Sequence, residues 1–318
     1  MADLSDVIEP DAEVELLFGP GAIEGDGMTE GAVWHPEGYL TFVRHRMSEH
    51  YRWDPLAHKA VLIRQKTGRC TGAALDHQGR LVLCEGDNRR VTRIDPGPEG
   101  DAPAEDWPGT PVVLADEWQG KRLNKPNDVI VRSDGSIYFT DPAARRSPGE
   151  REIGFAGVFR ITPDGEVEVA TDECEYPNGL AFSPDESILY VAITRKDEHC
   201  LEEVATGTIC RHRMMRAFDV APDGTLSGNR IFADMSSPLP GSPDGLKVDS
   251  DGRVYCTGAG GVWVFGADGT KLGIITVLGP RNLAFGGADL STLYIAAGES
   301  LYSIPTKVRG NPLPPPAA

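Results

Sequence analysis

The sequence lacks the features that define several large classes of protein. It has no uninterrupted apolar run of the roughly 18 residues that a transmembrane helix needs. Positive charge is scarce, since 31 Lys and Arg face 48 Asp and Glu for a formal net charge of −17. The N-terminal segment is acidic and has neither the basic start nor the apolar centre of a signal peptide. We therefore expect a cytoplasmic protein that binds neither membranes nor nucleic acid, whose recognition needs clustered basic residues.

Reactive cysteine pairs, helical patterns and one common hydrolase motif are missing as well. None of the six cysteines forms a CxxC pair, which favours a reduced protein. No amphipathic run between the strand-like segments is long enough to predict a helix, which argues against a βαβ fold. No G-x-S-x-G nucleophile elbow occurs. What the chain does contain is 37 glycines and 25 prolines, a content that is typical of all-β proteins with many tight turns.

One short pattern occurs six times: an apolar strand, a turn rich in Gly, Asp, Ser or Pro, and a second apolar strand. The six hairpins span residues 32–43, 73–84, 129–140, 180–191, 246–257 and 283–295. A third strand follows several of them, so each unit of roughly 40 to 60 residues holds three or four strands. The repeat predicts an all-β fold, a six-bladed β-propeller. We expect a single domain over residues 1–318, with blades within about 23–306 and a Pro-rich tail at 307–318.

Each hairpin carries a polar residue eight positions before the same point of its turn. The residues in this slot are Glu30, Thr71, Asn127, Asn178, Asp244 and Asn282. Because the first strand of a propeller blade is innermost, these side chains would form a ring around the central channel. Carboxylate and carboxamide oxygens suit a hard divalent cation, so the ring predicts a metal site. The alternatives are turn chemistry at each strand start and a water-filled channel, in which two carboxylates would repel each other.

Longer motifs surround these slots. They are EGAVW (30–34), CEGDNRRVTR (84–93), NKPNDV (124–129), YPNGLAFSPD (176–185), GSPDGLKVDSDGRVY (241–255) and RNLAFGGADLSTLYIAAGESLY (281–302). Together and in this order they resemble the motifs of the senescence-marker-protein, gluconolactonase and luciferin-regenerating-enzyme-like family. The resemblance covers about residues 23 to 305. It implies a six-bladed propeller with one divalent cation in its channel, in a family whose members hydrolyse sugar lactones and related esters.

The resemblance also implies roles for particular residues. The metal ligands of the family fall on Glu30, Asn178 and Asp244, and Asn127 matches a further ligand or a neighbour of the substrate. Asp244 matches the general base, and Lys125 matches a position where members carry Arg or Lys facing the substrate. The predicted function is therefore a metal-dependent lactonase, similar to gluconolactonase. In it the cation polarises the carbonyl and Asp244 or a water on the cation supplies the nucleophile.

Two other functions stay open at this point. The same metal propeller could catalyse a different metal-assisted reaction, such as a hydration, an isomerisation or a retro-aldol step. It could also be a binding propeller whose cation is structural. For the cofactor we expect one Ca²⁺, with Mg²⁺, Mn²⁺ and Zn²⁺ as alternatives. The expected partner is a small lactone-like molecule, and the expected assembly is a monomer or homodimer.

The sequence departs from the family pattern around the channel rim. Arg44 and Ile193 stand where members often carry Asp, Thr71 takes the place of Asn, and residues 195–216 form an insertion. We predict that Arg44 contacts an anionic or carbonyl-bearing substrate, with a surface salt bridge as the alternative. The insertion could be a lid over the channel or an outer loop. Since the ligand set is kept while the rim differs, a substrate other than gluconolactone is expected.

Overall fold

The secondary structure is almost entirely β. The computed structural model describes residues 3–23, 25, 27–94, 111–142, 151–194 and 213–312. Within these residues the only helix is a 3-10 turn at His45–Met47. The strands are β1 (Glu15–Phe18), β2 (Thr29–His35), β3 (Tyr39–Arg44), β4 (Glu49–Asp54), β5 (Lys59–Gln65), β6 (Cys70–Leu75), β7 (Leu81–Glu85), β8 (Arg90–Ile94), β9 (Val112–Ala115), β10 (Glu117–Trp118), β11 (Lys121–Arg122), β12 (Val129–Val131), β13 (Ile137–Asp141), β14 (Gly157–Ile161), β15 (Val167–Thr171), β16 (Pro177–Phe182), β17 (Ile188–Ile193), β18 (Met214–Val220), β19 (Leu226–Asp234), β20 (Leu246–Val248), β21 (Val254–Gly258), β22 (Gly261–Phe265), β23 (Lys271–Thr276), β24 (Pro280–Gly286), β25 (Thr292–Ala297) and β26 (Ser300–Pro305).

Twenty-four of these strands form six four-stranded antiparallel sheets, which are the blades of a propeller, and β10 and β11 pair with each other in a separate two-stranded sheet. Blades 1 to 5 run in chain order from the inner strands β2, β6, β12, β16 and β20, and blade 6 has the order β24-β25-β26-β1. Each inner strand contacts the inner strands of both neighbouring blades, so that β24 closes the circle onto β2. The predicted six-bladed propeller is confirmed, and its inner strands surround a central channel.

The turn chemistry read from the sequence explains the hairpins. In blade 3 the Gly135 N–H donates to the Arg132 carbonyl oxygen (2.9 Å), and Gly135 adopts a φ of +87° that favours glycine. The Asp134 side chain accepts the Ser136 N–H (2.8 Å) and fixes the start of the next strand. The strand that follows, β13, is buried throughout, because it lies inside its sheet and between two blades.

The N-terminal strand β1 pairs with β26 and forms the outer strand of blade 6. The blade range predicted from the sequence, 23–306, omits this strand. At the other terminus, the Lys307 N–H donates to the Val7 carbonyl oxygen (2.8 Å) and the Asn311 N–H donates to that of Val248 (3.1 Å). The first part of the predicted tail therefore packs on the propeller, and residues 313–318 lie outside the described residues.

The predicted insertion at 195–216 falls mostly outside the described residues, which resume at 213. Its last residues belong to β18, which pairs with β17. Ile193 is fully buried in the core of blade 4. In the described part of the chain, no helix has the length and apolar character needed to span a membrane.

Candidate functional site

Two carboxylates lie buried at the end of the channel where the inner strands begin. Glu30 is 7% exposed at the start of β2, and Asp244 is 9% exposed just before β20. Burial raises the pKa of Glu30 well above its usual range, and the charge of Asp244 raises it further. Burial also raises the pKa of Asp244, to about 6. We call this end of the channel, defined by Glu30, Asn178 and Asp244, the acid end.

Asn178 belongs to the same group. Its side-chain nitrogen donates to the Thr194 hydroxyl (2.9 Å), which in turn donates to the Pro243 carbonyl oxygen (2.8 Å) next to Asp244. A hydrogen bond from Asn178 also lowers the pKa of Asp244, against the larger effect of burial. Because the amide nitrogen is engaged in this way, the amide oxygen is the atom that Asn178 would offer to a cation.

Arg281 is the basic residue of the acid end. It immediately precedes Asn282, and its Nη1 lies 3.4 Å from Asp244 Oδ2. Its positive charge opposes the rise in pKa of both Asp244 and Glu30. The Arg281 side chain is 40% exposed. Its guanidinium thus pairs with a buried carboxylate and also faces the channel mouth.

The other ring positions are occupied differently. Thr71 donates its hydroxyl to the backbone carbonyl oxygen of Asn127 (2.6 Å), which ties the start of blade 2 to blade 3. The Asn282 side-chain oxygen accepts the Leu283 N–H (2.9 Å). Asn127 is half-buried between these inner strands and the mouth. The structure thus brings Glu30, Asn178 and Asp244 together, whereas Thr71 and Asn282 hold backbone.

Asp128 lies deeper than its neighbour Asn127 and is only 3% exposed. Its Oδ1 accepts the Val129 N–H (2.9 Å), while Oδ2 has no hydrogen-bond partner among the described residues. Burial raises the pKa of Asp128 to about 6, and the positive charge of Lys247 counteracts that rise. The negative charge of Asp128 in turn raises the pKa of Glu30 and Asp244, so all three carboxylates share one channel.

Lys125 lies at the mouth beside Asn127. Its backbone N–H donates to Asp141 Oδ1 (2.6 Å), and Asp141 is fully buried. Its ammonium lies 3.1 Å from Asp87 Oδ1, with 24% of the side chain exposed. These contacts do not test the predicted contact of Lys125 with a substrate, which stays a prediction.

Arg44 is buried, which corrects its predicted place on the rim. Its side chain is 2% exposed and packs under Gly27, where a Cβ would collide with the guanidinium. Nη1 lies 3.2 Å from Glu49 Oε2, and Nη2 donates to the Gly25 carbonyl oxygen. A guanidinium buried in these contacts does not support a substrate contact, so Arg44 takes no part in the function proposed below.

The residues of the acid end fit a divalent cation. No cluster of three or more Asp, Glu, His or Cys side chains that could bind a metal occurs among the described residues. A cation here would therefore use the Glu30 and Asp244 carboxylates and the Asn178 amide oxygen. This all-oxygen set suits a hard cation, whose charge would relieve the repulsion between the two buried carboxylates.

A cavity of about 950 Å³ opens at the opposite end of the channel. It lies among the turns that join the first two strands of blades 1, 2 and 6, and its wall includes Trp34, His77 and Lys247. Glu30, Asn178 and Asp244 are not among its lining residues. The acid end and this cavity are thus separate, and Lys247, which lines the cavity, also counteracts the rise in pKa of Asp128.

Two residues of the site were not predicted from the sequence. Arg281 directly precedes the ring residue Asn282, but it contacts Asp244 of blade 5. Thr194 donates to the carbonyl oxygen of Pro243, in the loop before β20. A basic residue directly before a ring position could have pointed to Arg281, which precedes Asn282 in blade 6. Thr194, next to Ile193, gives no signal of its own.

The sequence matches one known protein family over most of its length. Residues 28–299 match the family model of the SMP-30/gluconolactonase/LRE-like region. The chain belongs to this family. The family resemblance in the motifs is thereby confirmed over nearly the whole propeller.

Relatives that match most of the chain carry lactonase names. The chain is 26% identical to a gluconolactonase of Zymomonas mobilis, over 89% of this chain and 79% of the relative. It is 30% identical to a pentonolactonase of Haloferax volcanii, over 84% of this chain and 80% of the relative. Among solved structures, a gluconolactonase of Xanthomonas campestris is 33% identical with a TM-score of 0.78, covering 95% of this chain and 92% of that one.

Proposed function

We propose that this chain is a metal-dependent hydrolase that opens lactones. The observation that carries the proposal is the buried pair Glu30 and Asp244, since burying two carboxylates together is costly unless a cation joins them. Membership of the family and the lactonase names of relatives that match most of the chain support the reaction class.

Glu30, Asn178 and Asp244 would hold the cation through their side-chain oxygens, with Asn127 as a further ligand or a contact of the substrate. When bound, such a cation polarises the ester carbonyl and lowers the pKa of water. A pKa near 6 for Asp244 in the free protein is close to the range of an efficient general base. An adjacent cation would lower it, so the reactivity of the lactone itself must contribute.

Asp244 would accept a proton from the attacking water. The water oxygen adds to the carbonyl carbon, the bond from that carbon to the ring oxygen breaks, and the ring oxygen takes up the proton. The product is an open-chain hydroxy acid. Arg281, 3.4 Å from Asp244 Oδ2, would orient the carboxylate, while Asn127 and Lys125 would donate hydrogen bonds to substrate oxygens.

The test is hydrolysis of a lactone panel by the purified protein, before and after metal removal with EDTA. Asp244→Asn and Glu30→Gln should each lower kcat/KM at least about hundredfold, the usual contribution of a positioned base or electrophile. Asp219→Asn is the matched control, because Asp219 is 59% exposed and pairs with Arg230 on the outer strands of blade 4. Activity that survives complete removal of the metal would contradict the proposal.

Several finer points remain predictions. The all-oxygen ligand set favours Ca²⁺, and Mg²⁺, Mn²⁺ and Zn²⁺ are the alternatives for metal analysis. A cytoplasmic location and a monomeric or homodimeric state are likewise predicted from the sequence. A tightly bound metal without turnover of any lactone would instead favour a different metal-assisted reaction.

A further inference from the structure

Two basic side chains at the mouth of the acid end share a single carboxylate. The Lys125 ammonium lies 3.1 Å from Asp87 Oδ1, and Arg69 Nε lies 3.6 Å from Asp87 Oδ2. Within the described residues, Asp87 is the one carboxylate within 4.0 Å of either group. The pair Arg69 and Lys125, which we call the basic pair, therefore carries a surplus positive charge.

The basic pair lies beside the ring of inner strands. Lys125 precedes Asn127 by two residues, and Arg69 precedes Thr71 by two residues. Thr71 in turn donates its hydroxyl to the Asn127 carbonyl oxygen (2.6 Å). Since an extended chain spans at most about 3.6 Å per residue, each basic residue has its Cα within about 7 Å of a ring position.

The imidazole of His45 lies near the basic pair, whose two cations already meet at Asp87. Its Nδ1 lies 3.3 Å from the Cys70 carbonyl oxygen, next to Arg69 in the chain. Burial is the main cause that lowers the pKa of His45, and the charges of Lys125 and Arg69 both lower it further. Both cations therefore lie close to one point of the mouth, on the side of blades 1 to 3.

The backbone around the basic pair is specialised. Arg69 adopts a φ of +50°, a left-handed conformation that is uncommon for a residue with a side chain. Its N–H donates to the Ser48 hydroxyl (3.1 Å). The stem of Lys125 packs on Gly86, where an added Cβ would lie only 3.0 Å from Lys125 Cε. These contacts hold both residues of the basic pair in place.

The net charge of the groups at the mouth indicates a function for the basic pair. If a divalent cation binds as proposed above, it neutralises Glu30 and Asp244, and Arg281 adds one positive charge to the acid end. Together with the surplus from the basic pair, these named groups then sum to two positive charges. A neutral sugar lactone needs no such surplus, whereas an anionic one would be attracted by it.

Resting on the proposed lactonase function, we propose that the substrate is a lactone that carries an anionic group, a carboxylate or a phosphate, away from the ester carbonyl. Arg69 and Lys125 bind this group, with Arg69 offering the paired N–H donors that suit planar or tetrahedral oxyanions. When substrate is absent, the Asp87 carboxylate pairs with both Arg69 and Lys125. The ester carbonyl then lies toward the acid end.

The experiment compares kcat/KM for three substrates: a neutral aldonolactone, an aldaric acid monolactone with one free carboxylate, and a phosphorylated aldonolactone. The wild type should prefer one or both anionic lactones. Arg69→Gln and Lys125→Met should each lower the ratio of anionic to neutral kcat/KM by roughly tenfold, the effect of one charged hydrogen bond. Asp87→Asn should raise that ratio, because it frees the two cations.

Arg230→Gln provides the matched control. Arg230 also forms an exposed Arg–Asp pair, with Asp219 at 2.8 Å, but on the outer strands of blade 4. It should leave the ratio unchanged. Which anionic lactone is preferred distinguishes a carboxylate from a phosphate.

A wild-type enzyme that hydrolyses neutral lactones as well as anionic ones would overturn the inference and leave the lactonase proposal standing. So would an unchanged ratio in both Arg69→Gln and Lys125→Met. If no lactone of any charge is hydrolysed by the metal-loaded protein, the proposed function itself fails and the inference fails with it.

Discussion

The buried pair Glu30 and Asp244 makes a prediction that needs no substrate. Without a cation, both carboxyl groups lie in a place that raises their pKa, so their ionisation costs stability. Asp244→Asn keeps the shape of the side chain and removes one of the two charges. We therefore expect this substitution to stabilise the metal-free protein at neutral pH and to weaken the metal-loaded one.

The magnitude follows from the pKa of Asp244, which burial raises from 3.8 to about 6. One pKa unit corresponds to about 1.4 kcal/mol, so the penalty is on the order of 3 kcal/mol. Because the pKa is raised in the folded state, the penalty is absent below about pH 4, where the carboxyl is protonated in both states. It grows as the pH rises towards 6 and is complete above that.

The assay is urea unfolding at pH 7.5 and at pH 4.5, in EDTA and in excess Ca²⁺. In EDTA at pH 7.5, Asp244→Asn should be more stable than the wild type, and the difference should shrink at pH 4.5. With Ca²⁺ at about a thousand times its Kd, the wild type should gain about 4.1 kcal/mol by mass action, which exceeds the penalty of about 3 kcal/mol. The variant should gain less, so the order of stability should reverse.

Asp219→Asn controls for the loss of an exposed carboxylate and should respond equally in EDTA and Ca²⁺. If Asp244→Asn is no more stable than the wild type in EDTA at pH 7.5, the reasoning about the buried pair is refuted. If Ca²⁺ and the other divalent cations leave the wild-type midpoint unchanged, the acid end binds no cation.

Two further predictions concern residues near the channel and in blade 1. Asn127→Ala should lower kcat/KM with little change in stability, whereas Asp128→Ala should lower the free energy of unfolding by about 1 to 3 kcal/mol at pH 4.5, where most of the cost of ionising this buried carboxyl is absent and the Val129 N–H loses its acceptor; equal stability of the two variants at this pH would contradict this division. His50 is fully buried, neither ring nitrogen has a hydrogen-bond partner in the described part of the chain, and burial lowers its pKa to about 3. The stability that it contributes is complete above about pH 6.5 and is lost by about 1.4 kcal/mol per pH unit towards pH 3, so His50→Leu should flatten the fall in the urea midpoint between pH 6.5 and 4.5, and a parallel fall in both proteins would contradict it.

The part of the site that could be predicted is the part that repeats. Each hairpin is a local structure whose turn can be recognised from its Gly, Asp, Ser and Pro residues. Counting back eight positions from each turn therefore led to Glu30, Asn178 and Asp244. The same counting included Thr71 and Asn282, which hold backbone instead. A repeat predicts which positions face the channel, but it does not tell what each side chain contacts there.

What could not be predicted depends on contacts between distant segments. Arg44 was predicted at the rim because it stands where family members often carry Asp, and its burial depends on the space beside Gly27. Strand β1 is only four residues long, and its partner β26 lies at the other end of the chain. Arg281 meets Asp244 across two blades. None of these contacts has a local pattern in the sequence.

The charges along the channel explain why adjacent residues of one motif have different roles. Asp128 is buried below the acid end, and Lys247, three residues after Asp244, places an ammonium in the same part of the channel. The chain thus supplies its own cation for Asp128. At the acid end, two carboxylates meet the single charge of Arg281, which is itself partly exposed. A divalent cation is therefore expected beside Glu30 and Asp244 rather than beside Asp128, which leaves Asn127 to face the ligand and Asp128 to hold the strand.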